Sequence, residues 1–299
     1  MLLALDRAIW RFMRHLISRL LGHAPCYYDE PRSRRGIGCH PRLVLALLVI
    51  GGSVLFHYLG TTEYQNEFTG RVQRLKLPSP QQEIALGLQS APGMIREMGG
   101  LSRDAGARAL VDRVGRRLVQ STLAARTPYR FEFHLLADPR TINAFALPGG
   151  QIFITEALFR LLTSEDQLAG VLGHEIGHVV GRHSNEQMAT SGLWSGVAQG
   201  LGILLSDGHS NAGMQIAGTV ARLRVMKFGR EDELESDALG VRFMIEAGYN
   251  PEGMVGVMEI LAKAARGGRQ PEMLSTHPNP ENRAEKIRAM IAQYRRQPR

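Results

Sequence analysis

His174-Glu175-Ile176-Gly177-His178 places two histidines four residues apart, with a glutamate directly after the first. On an α-helix this spacing puts both imidazoles on one face, so two ring nitrogens can bind one metal ion at about 2.0–2.1 Å. Glu175 lies beside them and can act as general base toward a water molecule that the ion activates. The motif therefore predicts a zinc site with His174 and His178 as ligands and Glu175 as the catalytic base. A solvated helix face whose histidines bind nothing is the alternative.

The residues around the motif carry the signals of a helix over about residues 165–184. Ser164 and Gln167 have the spacing of a capping box, and apolar residues follow at helical spacing. These apolar residues are Leu168, Val171, Leu172, Ile176 and Val179. Gly173 and Gly177 each destabilise the helix by about 1 kcal/mol relative to alanine at the same position. Their presence beside the polar cluster indicates close approach by another part of the chain or by a ligand.

A catalytic zinc ion usually has three protein ligands and one position left for water. A longer zinc motif, H-E-x-x-H-x-x-G-x-x-H, would have its third histidine at the position of Ser184. His183 stands one residue earlier, and in a helix that shift rotates the side chain by about 100°. We therefore exclude His183 and expect a carboxylate from a second helix. Glu233 and Asp237 are spaced i, i+4, so Glu233 can bind the ion while Asp237 accepts a hydrogen bond from a ligand histidine. Spacing alone does not exclude Glu235 as the ligand, and a solvated acidic face is the alternative.

The net charge of +8 is concentrated near the N terminus. Residues 1–42 contain eight arginines and three acidic residues, which gives +5, whereas the rest of the chain carries +3. Because the excess does not lie on a basic face of the folded part, we predict no nucleic-acid partner. Cys26 and Cys39 lie in the same segment, and their spacing with His23 and His40 matches no strong zinc pattern. We interpret them as free thiols of a cytosolic tail.

Residues 43–60 form an apolar run without Asp, Glu, Lys or Arg. Eighteen residues is the short end of what spans a bilayer, and His57 and Tyr58 fall where an interfacial aromatic belt is expected. A buried core helix and a signal-peptide core are the alternatives, but the long basic lead and the lack of a cleavage pattern favour an uncleaved membrane anchor. Residues 2–21 have the pattern of an amphipathic helix, suited either to a membrane surface or to a partner.

The distribution of arginines around the apolar run predicts the topology. The positive-inside rule leaves residues 1–42 in the cytoplasm as a basic amphipathic segment, with 43–60 as a single transmembrane helix. We then expect a linker over residues 61–78 and a folded domain over residues 79–299 on the far side. We predict the inner (cytoplasmic) membrane of a bacterium, with the catalytic domain facing the periplasm. A mitochondrial inner membrane fits a similar topology.

The domain over residues 79–299 combines helix and strand signals. Ser79-Pro80-Gln81-Gln82 predicts a helix start, with an end near Gln89, and a second helix is expected over about 103–122. That second helix should turn Ala109, Leu110, Val114, Leu118 and Val119 inward. Strands are predicted over 129–135 and 151–155, with a turn-rich loop at 143–150 between them. Further helices are expected at about 156–162, 231–248, 251–266 and 280–296. The predicted fold class is α+β, mainly helical, with a small sheet.

Taken together, these motifs resemble the M48 family of zinc metallopeptidases over about residues 79–290. The histidine motif matches the family's H-E-x-x-H, and Arg230, Glu233 and Asp237 match its R-x-x-E-x-x-x-D pattern. Residues 143–150 match its Asn-Ala-Phe-x-x-Pro-Gly-Gly segment, and Thr276-His277-Pro278 matches its late His-Pro element, with Arg283 following. Glu83-x-x-x-Gly87 is similar to the family's lead-in. Ser236 departs from the pattern, because an alanine is more usual there.

The resemblance implies a zincin-like metallopeptidase domain that binds one zinc ion per chain. It selects Glu233 over Glu235 as the third ligand and gives Asp237 the supporting role. It gives His277 two candidate roles, one in stabilising the oxyanion and the other as a fourth ligand that closes the site. The strand over residues 151–155 resembles the edge strand on which the family lays extended substrate, where backbone pairing gives little sequence preference.

The implied activity is that of a membrane-anchored zinc endopeptidase. Its partners would be protein or peptide substrates, namely unfolded or damaged envelope proteins, and the membrane, contacted through residues 43–60. The alternative is a zinc-stabilised chaperone-like or adaptor protein whose protease site is normally latched by His277.

Overall fold

The computed structural model describes residues 41–205, 228–268, 270–277 and 282–296. In these ranges the protein is mainly helical, as the sequence predicts, but it has two small sheets where one was expected. The amphipathic helix predicted over residues 2–21, and the tail that contains Cys26 and Cys39, lie outside the described residues.

The elements follow one another in a simple order. The first helix leads into a hairpin, two helices precede a three-stranded sheet, and helices make up the rest. The elements are α1 (Pro41–Leu59), β1 (Thr62–Gln65), β2 (Val72–Leu75), α2 (Pro80–Glu97), α3 (Ala105–Gln120), β3 (Glu132–Leu136), β4 (Ala144–Leu147), β5 (Gln151–Thr155), α4 (Glu156–Phe159), α5 (Glu165–Val180), α6 (His183–Leu205), α7 (Arg230–Glu246), α8 (Glu252–Arg266), α9 (Met273–Thr276) and α10 (Arg283–Arg296). A short 3₁₀ turn, Leu123–Arg126, follows α3.

Helix α5, which carries the histidine motif, lies at the centre of the domain. Ser164 caps its N terminus by accepting a hydrogen bond from the Gln167 backbone N–H. Every residue of α5 from Leu168 to Val180 is buried, because α3, α7, α8 and β4 pack around it. A helix that is covered on all sides holds its polar side chains in one orientation, which is what a metal site requires.

The close approach expected at the two glycines of α5 is observed against α7. A Cβ atom on Gly177 would lie 2.9 Å from the backbone oxygen of Ser236, and one on Gly173 would lie 3.4 Å from that of Gly240. A Cβ atom on Gly240 would in turn lie 3.1 Å from the backbone nitrogen of His174. The small residues therefore let the backbones of α5 and α7 approach directly at the motif.

The predicted helix over 165–184 is wrong at its C-terminal end. Helix α5 ends at Val180, and Arg182 adopts a left-handed conformation with φ 58° before α6 begins at His183. Arg182 is held there by Glu83, which accepts a hydrogen bond from its Nε at 2.8 Å. Glu83 also accepts hydrogen bonds from Asn185 and from the Tyr129 hydroxyl. This buried polar network compensates the strain that a non-glycine residue has in this conformation.

Residues 61–78, predicted as a linker, contain the β1–β2 hairpin, in which Thr62 pairs with Leu75 and Gln65 with Val72. The hairpin packs on the end of α5. Asn66 Nδ2 donates to the Val180 carbonyl at 2.9 Å, and Gln73 Nε2 donates to the Gly181 carbonyl at 2.8 Å. These bonds satisfy carbonyls that a helix C terminus leaves without intrahelical partners.

The three-stranded sheet has the order β3-β5-β4, with β3 parallel and β4 antiparallel to β5. The prediction of a loop over residues 143–150 is wrong, since its first half is β4. Ala144 pairs with Ile154 and Leu147 with Gln151, and Gly149 and Gly150 close the turn with φ 83° and 110°. Strand β5 is therefore central and fully buried, which corrects its prediction as an edge strand. Strand β4 lies at the edge of this sheet.

Two helices also differ from their predicted bounds or faces. Helix α2 begins at the predicted cap but continues past Gln89 to Glu97, although Pro92 removes one helical hydrogen bond. Burial of Ala91 and Met94 against the sheet outweighs that loss. In α3, Val111 is buried and Ala109 is exposed, contrary to the predicted inward set.

The predicted transmembrane segment over 43–60 is helical as α1, which packs along α6. No helix in the part of the chain that the structure describes is both long and apolar enough to cross a bilayer. The membrane anchor is therefore not confirmed. Several large apolar side chains of α1 are nevertheless largely exposed, namely Leu45, Leu47, Leu48, Leu55, Phe56 and Leu59.

Candidate metal centre

Four buried side chains from three segments converge beside the motif. His174 and His178 come from α5, Glu233 from the first turn of α7, and His277 from the residue that follows α9. Each offers one ligand atom, and these four atoms all lie within 4.8 Å of one another. The structure thus brings together the three predicted ligands and the candidate fourth.

Several distances between the ligand atoms are close to the spacing of ligands around one tetrahedral ion. His174 Nε2 lies 3.0 Å from His178 Nε2 and 3.3 Å from His277 Nδ1. Glu233 Oε2 lies 3.5 Å from His174 Nε2, and Glu233 Oε1 lies 3.4 Å from His178 Nε2. Glu233 Oε1 is also 3.0 Å from His277 Nδ1. Tetrahedral ligands at about 2.1 Å from an ion are about 3.4 Å apart, and imidazole and carboxylate are ligands that zinc accepts.

Glu175 is fully buried next to this cluster but is not one of the four residues. Neither of its carboxylate oxygens has a hydrogen-bond partner among the described residues, and His277 Nε2 lies 3.6 Å from Oε1. Burial raises the pKa of Glu175, because the charged form loses its hydration. A carboxylate with unsatisfied oxygens and a raised pKa is suited to accept and return a proton.

Asp237 lies one turn after Glu233, as the spacing predicts, and supports His174. Its Oδ1 lies 3.0 Å from His174 Nδ1. Arg283 donates to the other side of the carboxylate, from Nε to Oδ2 at 2.7 Å, and Arg283 Nη1 lies 2.9 Å from Glu233 Oε2. Donation from His174 Nδ1 to Asp237 leaves Nε2, the atom that faces the cluster, free to bind an ion.

The charges around the cluster favour a cation. Burial alone would raise the pKa of Glu233, but the nearby His277 and His174 lower it, so its carboxylate is ionised. Burial likewise would lower the pKa of His174, but hydrogen bonds with Asp237 and Glu233 raise it to about 9. For His178 burial prevails, and its pKa lies well below the usual value. Arg283 compensates one of the two carboxylate charges, and a protonated His174, or a bound cation in its place, can compensate the other.

Two further buried side chains, neither of them predicted as part of the site, contact His178. The Phe228 ring stacks on His178, with 4.0 Å between ring centroids, and its backbone N–H donates to the Thr276 carbonyl at 3.2 Å. At the Nδ1 edge of the same ring, His183 Nδ1 lies 2.9 Å from His178 Nδ1. His183 is not in the four-residue cluster, in agreement with its exclusion as a ligand. No sequence pattern singles out Phe228.

Comparison with known proteins agrees with the geometry of the cluster. The sequence model of peptidase family M48 matches residues 107–291. The beta-barrel assembly-enhancing protease of Escherichia coli (strain K12) is 36% identical over 199 residues, which cover 61% of this chain and 40% of that protein. The mitochondrial metalloendopeptidase OMA1 of Schizosaccharomyces pombe is 31% identical over 192 residues, which cover 62% of this chain and 54% of that protein.

The region in common contains the whole candidate centre. The family match covers His174, Glu175, His178, Glu233, and His277. The chain spans about half or less of the length of these relatives, so their additional regions have no counterpart in the alignments. The family model matches more than half of this chain, and the matched region includes the buried histidine and glutamate cluster. The chain belongs to peptidase family M48.

Proposed function

We propose that the protein is a zinc metalloendopeptidase, in which His174, His178 and Glu233 hold one zinc ion. The observation that carries the proposal is the convergence of these ligand atoms at separations of 3.0–3.5 Å beside the unpartnered carboxylate of Glu175. The polar side chains beyond the ligands support it, because Asp237 and Arg283 hold His174 and Glu233 in the orientation that binding requires.

The reaction follows from the positions of these side chains. When bound, zinc polarises the scissile carbonyl and lowers the pKa of water to about 7. Glu175 takes the proton of the attacking water, and then delivers it to the nitrogen of the leaving amine. Its burial favours both steps, since a raised pKa brings the carboxyl closer to the pH at which it can accept and return a proton.

His277 supports a closed resting state of this peptidase. Its Nδ1 lies at the fourth corner of the cluster, where a catalytic zinc ion keeps a position for water. We propose that His277 closes the site and that the segment around α9 moves away when substrate binds. This position also favours the second candidate function, a zinc-stabilised adaptor whose protease site stays latched.

We propose extended segments of unfolded or damaged envelope proteins as substrates. Strand β4 offers the edge of the sheet that packs on α5, so a peptide can add to it by backbone pairing. Pairing of this kind recognises an extended backbone more than a sequence. The name of the Escherichia coli relative connects that protein to β-barrel assembly, and the name of the yeast relative places that protein in mitochondria. These names motivate a role in protein quality control.

We further propose that the protein is attached to the inner membrane through residues 43–60, with residues 1–42 in the cytoplasm and the domain of residues 79–299 on the other side. Exposed apolar side chains on α1, together with the lack of charged residues in the run, support contact with lipid.

The direct test of the activity compares wild type with Glu175→Gln, using an unfolded casein-type substrate. We expect one zinc ion per chain in both proteins and a loss of cleavage of about 10²–10⁴-fold in the variant, because only the proton transfer is removed. Glu259→Gln, on the exposed side of α8, is the matched control and should cleave like wild type. Undiminished turnover by Glu175→Gln would refute the proposed mechanism.

A further inference from the structure

We propose that His183 and Glu235 act as positioning residues that hold His178 in the tautomer and orientation needed to bind the metal ion. This inference rests on the proposed zinc site and concerns how one of its ligands is held. His174 Nδ1 has direct support from Asp237, whereas no carboxylate among the described residues contacts Nδ1 of His178, the other motif histidine. Instead, the His183 imidazole contacts His178, and the Glu235 carboxylate contacts that imidazole.

The distances define a continuous chain of hydrogen bonds. His178 Nε2 faces the cluster, and His178 Nδ1 lies 2.9 Å from His183 Nδ1. His183 Nε2 lies 2.7 Å from Glu235 Oε2. If His178 binds the ion through Nε2, its Nδ1–H must donate to His183 Nδ1, and His183 Nε2–H must then donate to the Glu235 carboxylate. One arrangement of protons satisfies both contacts at once.

The break between α5 and α6 places His183 in this position. His183 is completely buried, and it is the first residue of α6 after the left-handed Arg182. A Cβ atom on Gly181 would lie 2.4 Å from His183 Nε2, so the ring can fold back under the end of α5 only because residue 181 is glycine. In a continuous helix over residues 165–184 the ring would point elsewhere, since each residue rotates the side chain by about 100°.

Glu235 is held from the side away from the metal centre. Its Oε2 lies 3.4 Å from Arg71 Nη1, in the loop of the β1–β2 hairpin. Arg71 also pairs with Asp232 at 2.7 Å and with Glu186. Because these carboxylates belong to α7 and α6, Arg71 connects the hairpin to both helices, and Glu235 keeps its position beside His183.

Ser236 is a further neighbour of His183, and its hydroxyl competes with His178 for the same ring nitrogen. Its Oγ lies 3.2 Å from His183 Nδ1, the same atom that faces His178. A hydroxyl can turn toward another acceptor, whereas the His178 N–H has a fixed direction, so we assign the His183 lone pair to His178. The serine then contributes packing only.

The test measures zinc binding, which needs no proteolysis. In the full chain, zinc dissociation constants are measured by competition with a chromophoric chelator, and the cobalt-substituted proteins are compared by their visible absorption. We expect His183→Leu, which removes the acceptor at similar volume, to weaken zinc binding by about 10–100-fold and to change the cobalt spectrum. His183→Gln, whose amide oxygen can accept from His178 Nδ1–H, should recover part of the affinity and the wild-type spectrum.

Glu235→Ala gives a second route that does not disturb a fully buried position. It should weaken zinc binding in the same direction, whereas Glu231→Ala, at an exposed position of the same helix, should leave affinity and spectrum unchanged. If His183→Leu does not fold, Glu235→Ala decides. Affinities within about twofold of the Glu231→Ala control, with a wild-type cobalt spectrum, would overturn the inference while the zinc site stands. A wild-type protein that binds no zinc would overturn both.

Discussion

Arg283 holds Asp237 through two parallel hydrogen bonds, from Nε to Oδ2 at 2.7 Å and from Nη2 to Oδ1 at 2.8 Å. The same guanidinium reaches Glu233 with its third nitrogen, at 2.9 Å. One buried side chain of α10 therefore orients both the carboxylate that supports His174 and the carboxylate proposed as a ligand. Only a planar guanidinium can make this double contact.

Arg283→Lys should therefore weaken zinc binding although it keeps the charge. A lysine ammonium cannot reproduce the paired bonds to Asp237, so we expect a loss of affinity of about 10–100-fold, measured by chelator competition. Arg288→Lys, on the exposed side of the same helix where Arg288 Nη2 lies 3.4 Å from Glu259, is the matched control. Equal affinities in the two variants would show that Arg283 does not position the ligands.

His277→Ala should raise peptidase activity if His277 closes the site. Removing the imidazole leaves His174, His178 and Glu233 as ligands and opens the fourth position to water. A tenfold rise in casein cleavage would correspond to about 1.4 kcal/mol of preference for the closed state. His134→Ala, whose ring contacts Gln151 away from the cluster, serves as the control. Loss of cleavage with zinc retained would instead assign His277 to stabilisation of the oxyanion.

Gly177→Ala should destabilise the fold, although alanine in a helix interior is normally more stabilising than glycine by about 1 kcal/mol. The new Cβ would lie 2.9 Å from the Ser236 oxygen, a backbone atom that cannot move aside alone. We expect the free energy of unfolding to fall by about 1–3 kcal/mol, measured by denaturant titration. Gly192→Ala, in α6 with no atom within 4 Å of its Cβ, should be neutral or stabilising. A stable Gly177→Ala would contradict the close contact of α5 with α7.

Removal of zinc should destabilise the domain, because the ion connects α5, α7 and the segment after α9. With zinc present at about 1,000 times its dissociation constant, we expect a chelator to remove about 4 kcal/mol from the free energy of unfolding. Thermal unfolding with and without chelator measures the effect. Glu175→Gln should keep this difference and His178→Ala should lose it. A melting temperature that is independent of zinc would contradict binding to the folded state.

The local parts of the site could be predicted from the sequence. The capping box at Ser164 and the apolar spacing after it define α5, and the i, i+4 spacing puts His174 and His178 on one face. The choice between Glu233 and Glu235 could not be made from spacing, since both lie in the first two turns of α7. The structure separates them, with Glu233 at the cluster and Glu235 behind His183.

The parts that depend on distant residues were mispredicted. The end of α5 depends on Glu83, about a hundred positions before Arg182, whose hydrogen bonds stabilise the left-handed turn. The prediction for residues 143–150 gave weight to the turn residues at its end, whereas β4 exists because Ala144 to Leu147 pair with β5. Whether a strand lies at the centre or at the edge of a sheet likewise depends on which strands pair with it. The sequence pattern of one strand does not show this.

A crystal structure of the zinc-loaded protein, with anomalous scattering measured on both sides of the zinc absorption edge, tests the central claim most directly. We predict one ion per chain at about 2.1 Å from Nε2 of His174 and of His178, with a Glu233 oxygen as the third ligand and His277 Nδ1 as the fourth. Absence of an anomalous peak between the two motif histidines, or a Glu233 side chain turned away from it, would contradict the proposed metal centre.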